Sequence, residues 1–87
     1  MYRVLIAEDE ALVRMGLKTM PDWEKLDMQV AGDAADGREA YAMYQELRPD
    51  ILITDIRMPG MDGIELIRKI RASDSRIKII ILSCLDE

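Results

Sequence analysis

Ile51-Leu52-Ile53-Thr54-Asp55-Ile56-Arg57-Met58-Pro59-Gly60-Met61-Asp62-Gly63 is the stretch whose reading decides the fold. An apolar, β-branched run enters an aspartate, and turn-forming Pro-Gly and Asp-Gly pairs follow at once. A short apolar run bounded by turn residues predicts a strand buried on both faces. Asp55 then stands where the strand leaves the sheet, at the carboxyl edge where open α/β sheets place their ligands. Taken alone, an aspartate there does no more than start a turn. A second acidic cluster changes that reading: Glu8-Asp9-Glu10 ends the first apolar run, Val4-Leu5-Ile6-Ala7, in the same way.

Between these points the chain alternates. Met1 to Ala7 predicts a strand, and Ala11 to Met20 a helix with Leu12, Val13, Leu17 and Met20 as its apolar stripe and Arg14 and Lys18 on the other side. Pro21 ends or bends that helix. Trp23 lies in a short turn and reads as a packing residue. Met28 to Ala34 is poor in apolar residues, which suits an edge strand. Asp36-Gly37-Arg38-Glu39 has capping-box spacing, and Ala40, Tyr41, Met43, Tyr44 and Leu47 form the stripe of the helix it opens. Asp62-Gly63-Ile64-Glu65 repeats the signature before Leu66, Ile67 and Ile70. Ile77 to Leu82 predicts the last strand. The order β-α-β-α-β-α-β implies a parallel sheet with right-handed crossovers and helices on both faces.

Composition narrows the function. Eighty-seven residues, 49% hydrophobic and 33% charged, describe one small globular domain. A net charge of −5 disfavours nucleic-acid binding by this segment. No apolar run is long enough to span a bilayer, and the N-terminal run meets acid too soon for a signal peptide. The single cysteine, Cys84, reads as a small buried hydrophobe in a reducing cytoplasm.

Three strands therefore end in chemically useful side chains: Glu8 with Asp9, Asp55, and Ser83. If the first and third strands are neighbours, about 4.8 Å apart, their carboxylates converge. Clustered anions without His or Cys select a hard divalent ion, Mg2+ over Zn2+. A carboxylate beside such an ion can attack phosphorus and form an acyl phosphate, and the Ser83 hydroxyl can hydrogen-bond the phosphoryl oxygens.

The motifs Val4-Leu5-Ile6-Ala7-Glu8-Asp9-Glu10, Pro49-Asp50 followed by Ile51 through Gly63, and Ile79-Ile80-Ile81-Leu82-Ser83 resemble the receiver domain of bacterial two-component response regulators. The resemblance implies a flavodoxin-like doubly wound parallel sheet of order 2-1-3-4 over residues 1–87. It assigns Glu8 and Asp9 as the acidic pair, Asp55 as phosphoacceptor, Ser83 as switch hydroxyl, and the Arg57 carbonyl as a further Mg2+ ligand. It implies a histidine kinase as donor and a cytoplasmic signalling role. Catalysis would be confined to self-phosphotransfer and autodephosphorylation. The Pro21-Asp22-Trp23-Glu24 turn and the segment Leu82 to Glu87 look most like receivers with an AraC-type DNA-binding output domain.

The family's fifth strand, with its phosphate-pairing lysine, has no counterpart before Glu87, so the resemblance covers about the first three quarters of a receiver. On that reading one helix alone covers one sheet face, the last strand is an exposed apolar edge, and self-association is expected. Two rival classes differ at named positions. A phosphatase of the haloacid dehalogenase type wants a second Asp where Arg57 stands. A pseudo-receiver, an interaction module that is never phosphorylated, would not need Glu8, Asp9, Asp55 and Ser83 together.

Overall fold

The structure, a computed structural model, describes residues 1–82. Four strands alternate with three helices: β1 (Tyr2–Ala7), α1 (Ala11–Thr19), β2 (Met28–Ala34), α2 (Gly37–Leu47), β3 (Ile51–Asp55), α3 (Gly63–Arg71) and β4 (Lys78–Leu82). The sheet is parallel, in the order β2-β1-β3-β4. The expected strand order is therefore observed, with β2 and β4 at the edges. Ser83 and Cys84 lie outside the described residues. No helix among the described residues is long and apolar enough to cross a membrane.

The side-chain period of two splits the central strands between two cores. Leu5, Ala7 and Leu52 point to one face, where they join Ala40 and Tyr44 of α2 and Leu66 and Ile70 of α3. Val4, Ile6, Ile51 and Ile53 point to the other, where Leu17 of α1 and Trp23 cover them. The Trp23 indole N–H donates to the Leu17 and Lys18 carbonyls at 3.1 and 3.2 Å, tying the turn to the end of α1. Local signals set the ends of α2 and α3. Asp36 accepts from the Glu39 N–H at 2.8 Å and Asp62 from the Glu65 N–H at 2.9 Å, as the capping spacing predicts. Glu39 reaches back one residue further than a standard capping box, to the Ala35 N–H.

Two expectations need correction. The apolar stripe of α1 does not bury itself: Leu12 is 83% and Met20 85% exposed, and no residue of the helix is fully buried. Arg14, assigned to the polar side, is half-buried instead. The helix packs on the sheet through little more than Leu17, and among the described residues no second layer receives the rest of its stripe. The last strand also starts one residue late. Ile77 precedes it and belongs to the α2–α3 core, whereas Ile80 and Ile81 remain about half exposed on the edge strand.

Burial orders the cost of truncation. Leu66→Ala removes a side chain with 0% exposure and should cost about 2–5 kcal/mol. Leu12→Ala should change stability by no more than about 0.5 kcal/mol, as at a surface position. Urea unfolding of both variants checks the two facings; equal losses would contradict them.

Candidate functional site

The β1–β3 register builds the site. Ala7 pairs with Thr54, and the next residue of each strand is Glu8 and Asp55. Both strands leave the sheet at the same level, so their acids meet. Glu8, Asp9 and Asp55 each present a carboxylate oxygen, and these oxygens lie within 4.8 Å of one another. Glu8 is buried at 3% exposure, Asp55 is half-buried, and Asp9 is exposed. The cluster thus grades from protein interior to solvent.

Glu8 and Asp55 are each held from their own strand end. A Glu8 carboxylate oxygen (Oε2) accepts the Glu10 N–H at 3.0 Å. Asp55 Oδ1 accepts the Ile56 N–H at 2.8 Å. The Glu8 N–H donates to the Ala34 carbonyl at 3.0 Å, carrying the ladder past the end of β1. Arg57, with Asp9, Ile56, Met58 and Asp62, lines an open pocket of about 380 Å3 at this edge. Ser83, assigned as the switch hydroxyl, lies outside the described residues; its predecessor Leu82 is the β4 partner of Asp55.

Two glycines let the helices approach the loop after β3. A Cβ at Gly63 would lie 2.0 Å from the Asp55 carbonyl oxygen, and one at Gly37 would lie 2.1 Å from that of Met61. The Gly63 N–H donates to the Ile56 carbonyl and the Gly37 N–H to the Met61 carbonyl. Backbone approach of this kind requires glycine. In the sequence both glycines stand as companions of caps, and a Gly one residue after each capping Asp is the signal that marks them.

The electrostatics are strained. Burial raises the Glu8 carboxyl above its ordinary value; the Glu10 N–H opposes this, and the Asp55 and Asp9 carboxylates add to it. Two unit charges at that spacing repel by about 1 kcal/mol in water and about 3–4 kcal/mol at the effective dielectric of a protein surface. Among the described residues no Lys or Arg forms an ion pair with any of the three acids. An all-oxygen donor set with uncompensated negative charge and an open, wet side fits Mg2+, which keeps several of its waters.

A sequence model described as the response regulator receiver domain matches residues 4–87. The chain belongs to this family. It is 41% identical to the uncharacterized transcriptional regulatory protein YesN of Bacillus subtilis, over all of this chain and 24% of that protein. The receiver domain of AraT, a response regulator from Geobacillus stearothermophilus, superposes with a TM-score of 0.90 at 36% identity, covering 94% of this chain and 64% of that one. CheY in the CheX-CheY-BeF3-Mg complex from Borrelia burgdorferi gives a TM-score of 0.86 at 31% identity, over 99% of this chain and 64% of that one. The chain therefore spans about a quarter of the YesN regulator and about two thirds of these receiver structures. It is a receiver-type signalling module with relatives among transcriptional regulators.

The raised Glu8 value has a consequence for stability. A carboxyl whose folded-state value exceeds its unfolded one contributes stability at low pH and loses it as pH rises through the folded value. At neutral pH, without metal, Glu8→Gln should therefore unfold at higher urea than the parent, and the gap should close below the carboxylate range. Mg2+ should stabilise the parent more than the variant. A Glu8→Gln protein less stable at pH 7 would contradict the repulsion.

Proposed function

We propose that residues 1–87 act as the phosphoacceptor receiver domain of a two-component response regulator. In this reading Asp55 takes a phosphoryl group from a histidine kinase, with Mg2+ held by Glu8, Asp9, Asp55 and the Arg57 carbonyl. The observation that carries it is the convergence of three carboxylate oxygens within 4.8 Å, one of them on the strand-ending aspartate. The Mg2+ in the Borrelia CheY complex supports the choice of ion.

The residues divide the work. One Asp55 oxygen is engaged by the Ile56 N–H, which fixes the carboxylate plane and leaves the other oxygen to attack phosphorus in line. The phosphorus–nitrogen bond of the donor's phosphohistidine breaks as the Asp55 oxygen–phosphorus bond forms, and the imidazole leaves with the electron pair. Mg2+, when bound, neutralises charge on the phosphoryl oxygens. Glu8 and Asp9 hold the ion, and the Ser83 hydroxyl is assigned to the phosphoryl group after transfer. A cytoplasmic setting, an AraC-type DNA-binding output domain and pairing of copies through β4, whose Ile80 and Ile81 lie exposed on the sheet edge, are parts of the same proposal.

Acetyl phosphate with Mg2+ should add one phosphoryl group, seen as a single mass increment. Asp55→Asn should abolish it, because no neighbouring acid has the same in-line geometry. Asp9→Ala should also abolish it by removing a ligand of the ion. An increment that survives Asp55→Asn refutes the assignment. A chain that binds Mg2+ yet never takes a phosphoryl group would support the pseudo-receiver reading.

A further inference from the structure

The register between β1 and β2 slips by one residue. Val4 pairs with Val30 but Leu5 pairs with Gly32, leaving Ala31 as a bulge. The slip reverses the facing of everything after it. Val30 packs on the α1 face, and simple alternation would turn Asp33 to the α2 face. Instead, a Cβ at Gly32 would meet Leu47 and Met43 of α2, and Ala34 joins the α2–α3 core. Asp33 is thereby delivered to the α1 side.

There it meets two cations of α1. Arg14 Nε donates to Asp33 Oδ2 at 3.1 Å, and Lys18 Nζ lies 3.1 Å from Asp33 Oδ1. A second guanidinium nitrogen of Arg14, Nη1, donates to the Glu8 carbonyl at 2.7 Å. Arg14 and Asp33 are both mostly shielded from solvent, at 21% and 28% side-chain exposure. One planar guanidinium thus ties the first peptide of the acidic turn to the neighbouring strand, a bridge that suits the fixed fork of Arg and not the point charge of Lys.

We propose that Arg14 is a positioning residue for the cation site. Its guanidinium holds the Glu8 carbonyl against Asp33 and so fixes where β1 releases the Glu8 and Asp9 carboxylates. This rests on the Mg2+ reading of the acidic cluster. Asp33 has a matching role: it engages the Arg14 charge, so that the guanidinium braces the turn without neutralising the acids beside it. The bulge at Ala31 is what makes the arrangement possible.

Coulomb repulsion between the Arg14 charge and the ion, and positioning by Arg14, predict opposite signs. Removing a positive charge near a cation site should by itself tighten Mg2+ binding, whereas losing the brace should weaken it. Mg2+ titration, followed by the amide shifts of Asp9 and Asp55 in the folded protein, separates the two. Arg14→Met and Arg14→Lys should both raise the Kd by roughly tenfold, the low end for loss of an outer-shell partner. Asp33→Asn should raise it as well, by freeing Arg14 to turn on the carboxylates. The Arg14→Met, Asp33→Asn double variant should bind no more weakly than Arg14→Met alone. If Arg14→Met does not fold, Arg14→Lys, which keeps the charge and most of the stem, decides. Unchanged or tighter binding in the Arg14 variants, with only the melting temperature lowered, overturns the proposal while leaving the metal site standing. Absence of Mg2+ binding by the parent protein overturns the metal site and the proposal together.

Discussion

Mutual repulsion of carboxylates at one sheet edge is the constraint around which this molecule is arranged. The backbone ladder between β1 and β3 forces it: once Ala7 pairs with Thr54, Glu8 and Asp55 leave the sheet side by side whatever their charges prefer. Hydrophobic burial supplies the force that holds this register. Val4, Leu5, Ile6 and Leu52 are fully buried, and a one-residue slip would turn each of them to the wrong core. Packing energy is thus stored as electrostatic strain, and the strain is what a small hard cation can relieve.

The surroundings keep that strain from being relieved in other ways. Glycines at positions 37 and 63 let α2 and α3 approach the loop after β3, so backbone amides and carbonyls there are satisfied by one another. Arg14, which could neutralise the cluster, is engaged by Asp33 through a bulge in an edge strand. Glu8 and Asp55 are consequently anchored by local N–H donors, and all three acids are left without a cationic partner among the described residues. The proposed cation binding and the proposed phosphoryl transfer both rest on this one arrangement.

Much of this was legible in the sequence because it is written locally. The apolar run into Asp55, the acids after Ala7 and the Asp-x-x-Glu caps each need only a few neighbouring residues to be read, and the family motifs fix the strand order. The facing of α1 was not legible: Leu12, Val13 and Met20 have helical spacing, but spacing does not say whether a layer exists to receive them. The bulge at Ala31 was also missed, and with it the role of Asp33. Its one sequence signal is Gly32, an isolated glycine inside a strand. A register shift is a property of two strands together, so a single strand's pattern does not reveal which face Asp33 takes.

The central claim is that Glu8, Asp9 and Asp55 form one cation site. Substoichiometric Mn2+ added to isotopically labelled protein tests it most directly, by paramagnetic broadening of amide signals. The account predicts that the amides of Asp9, Ile56 and Arg57 disappear first, while those of Asp50 and Lys78, at the opposite end of the strands, stay sharp. Excess Mg2+ should restore the lost signals. Broadening scattered over surface acids such as Asp27 and Glu46, or left unchanged by Mg2+, would contradict it.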